Sequence, residues 1–269
     1  MKNEIPNIGF GTWRLPNSSY TTTIIQEAID CGYKLIDTAS SYQNEEAIGD
    51  AIMARERSKL WLSGKLWNTD RNNVEQACDI TLKKLRCDYL DLYLVHWPVV
   101  RAVSEDWIEI NRNVWLQMER LVLLGKVRYI GLSNFQKEQL ESLIPTCKIK
   151  PLVNQIEYHP GFTQTETVNY CQSNNVIVQA WSPLCSGKAL KKEPIISLAQ
   201  KYNRSPAQII LKWCTQNKII PIVKSSDSER MKSNLTLEFT LLPEDMDYLN
   251  RLPYMGSSGL NSETITLFE

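Results

Sequence analysis

Eight short, largely apolar runs of strand-forming residues recur along the chain, each five to seven residues long. Runs of this length, bounded by glycine, proline and polar residues, are typical of buried β-strands. In chain order they read NIGFG from residue 7, KLIDT from 34, LWLSG from 60, LDLYLVH from 90, RYIGLSN from 128, LVNQIEY from 152, VIVQAWS from 176 and IIPIVKS from 219.

Helical patterns separate these runs. Between Val74 and Leu85 the apolar residues follow the i, i+3, i+4, i+7 spacing of one helix face, and a second stripe covers residues 24–29. Capping residues predict where helices begin and end. They are Gly32 as a left-handed C-cap, Asn44 and Ser205 as N-caps, and Pro206 as a first helical residue.

Strands that alternate with helices from end to end predict a parallel sheet, and eight of them favour a closed (β/α)₈ TIM barrel over an open doubly wound sheet. No linker or low-complexity segment interrupts the pattern, so residues 1–269 are predicted to form a single α/β domain. Active sites of such barrels lie at the carboxyl ends of the strands. The polar and aromatic residues found there are Trp13, Asp37, Lys65, His96, Ser133, Asn134, Gln155, Trp181, Lys224 and Ser225.

Composition narrows the class of partner. Thirty basic and thirty acidic side chains cancel, which argues against binding to nucleic acid or to a membrane surface. The longest apolar runs are strand-sized, and the polar N-terminus has no signal-peptide core. Seven scattered cysteines without a CxxC pair indicate reduced thiols rather than a metal site or a disulfide framework. We therefore expect a cytoplasmic protein, acting as a monomer without a metal.

Eight motifs occur in order at the predicted strand ends. They are GFGTW (9–13), DTASSY (37–42), GKLWN (64–68), LVHWP (94–98), GLSNF (131–135), NQIEYHP (154–160), WSPL (181–184) and KSSDSERMKSN (224–234). Any one of them is a weak signal, but together they cover nearly the whole chain. In this respect the chain resembles the aldo-keto reductase family, and in particular its short bacterial members similar to 2,5-diketo-gluconic acid reductases.

The resemblance implies a catalytic tetrad of Asp37, Tyr42, Lys65 and His96. Hydride delivery to a carbonyl carbon leaves negative charge on its oxygen, so a positioned proton donor is needed. Tyr42 would be that donor, with the Lys65 ammonium lowering its pKa and Asp37 orienting the ammonium. His96 would donate a hydrogen bond to the substrate oxygen.

The resemblance also implies NADPH as cofactor, without the GxGxxG of a Rossmann site. Ser133, Asn134 and Gln155 would bind the nicotinamide carboxamide. Trp181 would stack on the nicotinamide ring, where tyrosine is commoner in the family. Contacts to the 2′-phosphate would come from Lys224, Ser225 and Arg230, and the implied cofactor set further includes Gly11, Thr12, Asp37, Ser182, Pro183, Leu184 and Asn234.

Substrate walls and departures from the family pattern shape the expected specificity. The predicted substrate residues are Trp13, Trp67, His96 and Trp97. Ser233 replaces a glutamate that touches adenine in many relatives, and Asp227 adds a carboxylate near the predicted phosphate, so NADH should bind as well but more weakly. The start of the chain so close to GFG predicts a truncated N-terminal hairpin. The short, Gly/Ser-rich C-terminal tail predicts an open, tolerant pocket.

The sequence thus predicts NADPH-dependent reduction of small carbonyls, sugar ketoacids or aromatic aldehydes. Several alternatives stay open at this point. Asp37 and Lys65 could form a purely structural ion pair, and the three tryptophans could be rim packing. The barrel could bind nicotinamide as a catalytically weak sensor or subunit, or could be an unrelated phosphate-binding isomerase. His159 is predicted to be structural or on the surface, and Cys185 to be unreactive.

Overall fold

A computed structural model describes residues 5–263 and 265. In this part of the chain eight strands form the sheet: β1 Gly9–Gly11, β2 Leu35–Asp37, β3 Trp61–Leu66, β4 Leu90–Val95, β5 Val127–Ser133, β6 Val153–Glu157, β7 Ile177–Trp181 and β8 Ile219–Val223. Each strand pairs in parallel with its neighbours in sequence, and β8 closes the barrel on β1. The predicted (β/α)₈ barrel is thereby confirmed. The predicted loss of an N-terminal hairpin falls partly on residues 1–4, which lie outside the described residues.

Helices surround the barrel: α1 Ser19–Cys31, α2 Glu45–Ile52, α3 Val74–Leu85, α4 Trp107–Leu123, α5 Lys137–Leu143, α6 Thr165–Ser173, α7 Glu193–Tyr202, α8 Pro206–Gln216, α9 Ser228–Leu235 and α10 Pro243–Asn250. Two of these, α7 and α8, connect β7 to β8, and α9 and α10 follow the last strand. Within residues 5–263 and 265, no helix is long and apolar enough to cross a bilayer. All seven cysteines lie in this part of the chain as unpaired thiols.

The predicted helix ends hold, with one correction. Gly32 ends α1 with a φ of 115°, and the Ser205 hydroxyl accepts from the backbone N–H of Gln208 in a capping box at the start of α8. Asn44 does precede α2, but its side chain makes no cap hydrogen bond. It donates instead to the carbonyl oxygens of Thr12 and Leu15, at 2.8 and 3.0 Å, and so ties the β1 end to the start of α2.

The barrel interior changes from apolar to polar along the strands. Its lower part is an apolar cluster of Leu35, Trp61, Leu92, Leu94, Val153 and Ile222. Side chains alternate along a strand, so the residue two positions further on faces the same way. Two positions after Leu35, Leu94, Val153 and Ile222 stand Asp37, His96, Gln155 and Lys224. The strand alternation therefore places this polar set above the apolar cluster, at the carboxyl end of the barrel.

Candidate active site

A buried lysine forms the centre of the polar set. The Lys65 ammonium lies 2.5 Å from Asp37 Oδ2, 3.0 Å from the Thr38 carbonyl oxygen and 3.3 Å from Tyr42 Oη. Lys65 is fully buried and Asp37 nearly so, whereas Tyr42 is half-buried at the end of a short 3₁₀ turn that follows β2. Three of the four predicted tetrad residues are thus joined through one ammonium group.

The electrostatics of this group correct one expectation. Burial raises the pKa of Tyr42 above its ordinary value of 10.0, and the Lys65 ammonium opposes that effect only in part. The sequence argument named the right direction for the effect of Lys65, which does lower the tyrosine pKa, but it left out the larger and opposite effect of desolvation. Burial acts to lower the pKa of Lys65, but Asp37 and Tyr42 outweigh it, and the pKa is raised. At neutral pH the pair is therefore an ammonium beside a protonated phenol.

His96 follows β4 directly and completes the set. Burial, and then the charge of Lys65, hold the pKa of His96 well below its usual range, so the imidazole is neutral at pH 7. The Trp67 and Tyr42 rings contact the imidazole edge-on, with centroid distances of 5.1 and 5.7 Å. A neutral imidazole carries one N–H, which makes it a hydrogen-bond donor without a net charge.

The Asp37, Tyr42 and His96 side chains face a cavity of about 1260 Å³ at the carboxyl ends of the strands. Of the predicted residues, the cavity is lined by Gly11, Thr12, Trp13, Asp37, Tyr42, Trp67, His96, Trp97, Ser133, Asn134, Gln155, Trp181, Ser182, Pro183, Leu184, Lys224 and Arg230. Lys65 lies outside the lining, in contact with Asp37 and Tyr42. Ser225 bonds within its own loop to Asp227, and Asn234 is buried, so neither of these two lines the cavity.

Asn134 connects three strand ends beneath the cavity. Its backbone is left-handed, with a φ of 64°. The side-chain amide donates to the His96 carbonyl oxygen at 3.0 Å, and its Oδ1 accepts from the Trp181 indole N–H at 2.8 Å. These contacts fix the Trp181 ring, half-buried on the cavity wall, relative to the backbone of His96.

Gln155 is held in the same network. Its amide nitrogen donates to Asp37 Oδ1 at 2.9 Å and to Gln179 Oε1 at 3.0 Å, and its backbone carbonyl accepts from the Ser133 hydroxyl at 2.8 Å. The amide N–H groups of Gln155 are therefore committed within the protein. Its remaining capacity toward a ligand is that of the amide oxygen.

Cationic residues stand at another part of the cavity. Lys224 donates to the Trp13 carbonyl oxygen at 3.0 Å, and burial, with help from nearby Arg14, lowers its pKa. Arg230 is largely exposed in the first turn of α9. Asp227 caps this helix, because its Oδ1 accepts from the Arg230 backbone N–H at 2.8 Å, and its Oδ2 lies 3.7 Å from the Arg230 guanidinium. The predicted phosphate position thus already has a carboxylate of its own.

Several residues of the cavity wall escaped the sequence prediction. Arg14 follows Trp13 directly and stacks its guanidinium on that indole at 4.1 Å. Ser41, inside the DTASSY motif, has its hydroxyl 3.5 Å from His96 Nδ1. Leu260 and Ile265 come from the C-terminal tail. Position next to a predicted residue could have identified Arg14 and Ser41, whereas no local signal marks the two tail residues.

His159 and Cys185, which the sequence analysis left out of the site, are both buried and do not line the cavity. His159 is fully buried, with Nδ1 3.1 Å from the Pro160 carbonyl oxygen. Because a carbonyl only accepts, the Nδ1–H is the donor. Cys185 is buried, and burial raises the pKa of its thiol, which disfavours the reactive thiolate.

Comparison with known proteins places these features in a family. A sequence model described as "Aldo/keto reductase family" matches residues 7–253. The glyoxal reductase of Bacillus subtilis is 39% identical over 254 residues, covering 93% of this chain and 89% of the relative. The 9,11-endoperoxide prostaglandin H2 reductase of Trypanosoma cruzi is 36% identical, covering 93% and 88%.

Solved structures give the same picture. An aldo/keto reductase from Brucella melitensis superposes with a TM-score of 0.85 at 39% identity, covering 93% of this chain and 95% of that one. A Bombyx mori aldo-keto reductase, crystallised in complex with NADP, superposes with a TM-score of 0.83 at 33% identity, covering 93% and 89%. Fold and sequence therefore agree over the same length of chain.

Proposed function

The chain belongs to the aldo/keto reductase family and is an NADP-dependent oxidoreductase; on this premise we propose that it reduces small aldehydes and ketones with Tyr42 as the proton donor. The observation that carries the proposal is the buried Lys65 ammonium, which joins Asp37 to a phenol at the cavity wall. Burying an ion pair this deeply has a large desolvation cost, and apolar residues of equal volume often stabilise a core as well or better. The presence of the pair is therefore better explained by catalysis than by stability.

The cavity residues fit a nicotinamide cofactor. Trp181 offers a flat aromatic face at the wall, and its hydrogen bond to Asn134 holds that face in one orientation. Ser133, Asn134 and Gln155 would bind the carboxamide, and Lys224 and Arg230 would neutralise a phosphate at the other end. When bound, NADPH supplies the hydride.

The chain's own residues manage the proton and the developing charge. The neutral imidazole of His96 donates a hydrogen bond to a carbonyl oxygen in the cavity, which stabilises negative charge as it forms. Tyr42 holds the transferable proton at Oη, and its raised pKa keeps that proton in place at neutral pH. Lys65 stabilises the phenolate left after transfer, and Asp37 keeps Lys65 charged.

Substrate size is the open variable. Trp13, Trp67 and Trp97 give the cavity apolar walls, which suits compact carbonyls with an apolar body. A relative named for glyoxal reduction supports small dicarbonyls as the first candidates. The test follows NADPH oxidation with glyoxal, methylglyoxal, a sugar ketoacid and an aromatic aldehyde. Tight NADPH binding without turnover of any of them would favour a sensor or subunit, and absence of binding would favour the unrelated isomerase.

Coenzyme choice depends on Arg230. Arg230→Ala should raise the dissociation constant for NADPH roughly fivefold, which corresponds to about 1 kcal/mol, and should leave that for NADH nearly unchanged. The reason is that only NADPH carries the 2′-phosphate, while the exposure of Arg230 limits each charge contact. Isothermal titration with both cofactors measures the difference. We expect wild type to prefer NADPH.

Two matched variants sharpen this measurement. Lys232 lies on the same helix as Arg230, but it pairs with Glu229 and lies outside the cavity lining. Lys232→Ala should therefore leave the dissociation constants for NADPH and NADH unchanged. Asp227→Asn should tighten NADPH binding, because it removes the opposing charge at the start of α9. Equal weakening of both cofactors by Arg230→Ala would make Arg230 merely structural.

Trp181 provides an optical signal for binding. Trp181→Ala should remove most of the tryptophan fluorescence quench caused by NADPH and should weaken binding about tenfold, since an aromatic stack is worth about 0.5–1.5 kcal/mol beyond its buried area. Trp115→Phe is the matched control, because Trp115 is a buried core indole outside the cavity lining. A quench of wild-type size in Trp181→Ala would contradict the stacking role.

Residence in the cytoplasm, a monomeric state and a single domain over residues 1–269 stay predictions, supported by the composition and the unpaired thiols. Gel filtration against proteins of known size would measure the oligomeric state.

A further inference from the structure

The C-terminal tail, residues 253–263 and 265 of the described chain, contributes to the cavity wall. Leu260 and Ile265 line the cavity, and Ile265 is buried. The tail contains no helix of four residues or more in its described part, so no repeating backbone hydrogen bonds fix its course. Its position must therefore come from contacts with the barrel.

The main contact is made by Glu157, the last residue of β6. It stands two positions after Gln155 and so faces the same way, one level higher at the mouth. Its side chain is almost completely buried, yet both carboxylate oxygens are occupied by one tail residue. Oε1 accepts from the Ser258 backbone N–H at 2.8 Å, and Oε2 accepts from the Ser258 hydroxyl at 2.7 Å.

A second contact lies beside the first, where the loop between β6 and α6 meets the tail. The Met255 N–H donates to the Gly161 carbonyl oxygen, and the Phe162 and Tyr254 rings meet edge-on with centroids 5.9 Å apart. Gly161 has a φ of 79°, and a Cβ there would lie 2.7 Å from the Pro253 carbonyl oxygen. This close approach of two backbones therefore requires glycine.

We propose that Glu157 is a positioning residue for substrate: its clasp on Ser258 holds the tail so that Leu260 and Ile265 form the outer cavity wall. This inference rests on the proposed function and assigns the fixed part of the substrate pocket. In this proposal the end of β6 determines where the outer wall of the cavity lies. Carbonyls with an extended apolar body depend on the clasp, and two-carbon or three-carbon dicarbonyls do not.

The chemistry of the contact explains why it is specific. A buried carboxylate needs donors, and hydrogen bonds to a charged acceptor are shorter and stronger than neutral ones. His159 Nε2 lies 3.4 Å from Glu157 Oε1, which is longer than the 2.8 and 2.7 Å distances of the two Ser258 hydrogen bonds. Among the described residues, Ser258 therefore supplies the close donors to this carboxylate. Loss of the Ser258 hydroxyl leaves Oε2 without its donor and loosens the tail at the point two residues before Leu260.

The test uses kinetics with two substrates on the full chain. In Ser258→Ala the KM for 3-phenylpropanal should rise about tenfold, the scale expected when an apolar substrate group loses its pocket contact, while kcat and the KM for methylglyoxal change less than about twofold. Ser258→Thr, which keeps a hydroxyl, should restore the wild-type KM. Ser257→Ala is the matched control, because among the described residues the Ser257 hydroxyl bonds within the tail, to Tyr254 and Gly259.

A second readout needs no substrate and no activity. Amide hydrogen exchange in the tail should become about tenfold faster in Ser258→Ala and in Gly161→Ala, and stay near wild type in Ser257→Ala. Wild-type exchange in Ser258→Ala, or equal KM changes for both aldehydes, would overturn the clasp. Absence of turnover by the wild type would instead refute the proposed function, and the exchange measurement would still decide whether the Ser258 contact holds the tail.

Discussion

Tyr42→Phe should lower kcat for carbonyl reduction by about 10²–10⁴-fold, the usual contribution of a positioned proton donor. The change removes the phenol oxygen that lies 3.3 Å from the Lys65 ammonium and keeps the ring that packs edge-on against His96. The dissociation constant for NADPH should stay within about twofold of wild type. Single-turnover rates together with NADPH titration measure both quantities.

The control for this change is Tyr20→Phe, an exposed tyrosine on α1 that should behave as wild type in both measurements. Retention of more than about a tenth of the wild-type rate by Tyr42→Phe would mean that another group gives the proton. A large rise in the NADPH dissociation constant would instead assign Tyr42 to cofactor binding.

Much of the architecture follows from local signals. Each strand lies within one of the eight largely apolar runs or overlaps it closely, as expected where both faces of a parallel barrel strand are covered. Gly32 and Ser205 end and begin helices through their own backbone or side chain, so their roles are readable without tertiary structure. The convergence of Asp37, Lys65 and His96 is readable for a related reason, since strand ends of one parallel barrel meet on one face. Tyr42 follows β2 in a short turn, so its predicted role rests on the family resemblance.

The Tyr42 pKa shows a limit of such reasoning. The sequence identifies Lys65 as a neighbour, but the net pKa depends on how much water the phenol loses, and burial outweighs the ammonium. Asn44 shows another limit, because an asparagine before a helix suits an N-cap equally well in any fold. In the folded barrel the segment that follows β1 lies beside Asn44. Its Thr12 and Leu15 carbonyl oxygens accept the hydrogen bonds of the Asn44 amide.

Contacts between residues far apart in the sequence are the features that the sequence could not predict. Glu157 and Ser258 are 101 residues apart, and their meeting depends on the path of an irregular tail past Gly161. Glutamate at a strand end and serine in a Gly/Ser-rich tail are each ordinary in sequence. The wall residues Leu260 and Ile265 depend on that path, so they could not be predicted from pattern or motif.

Lys65→Met should strongly destabilise the folded protein. It leaves Asp37 as a buried carboxylate without its counter-ion, and breaking a buried pair from one side typically costs about 3–5 kcal/mol of unfolding free energy. The pKa of Lys65 in the folded protein is raised above 10.5, so the pair contributes fully at neutral pH and is lost only as the pH rises through that higher value. Denaturant unfolding at pH 7 measures the loss.

The double variant Lys65→Met with Asp37→Asn separates stability from catalysis. A neutral asparagine needs no counter-ion, so the double variant should recover most of the lost unfolding free energy. Both Lys65→Met and the double variant should reduce carbonyls far more slowly than wild type, because they lack the ammonium that lies beside the Tyr42 phenol. Arg55→Met, which breaks the exposed ion pair with Asp30, is the control and should cost less than about 1 kcal/mol. Recovered activity in the double variant would contradict us, because the ion pair would then serve only the fold and the phenol of Tyr42 would work without a neighbouring cation.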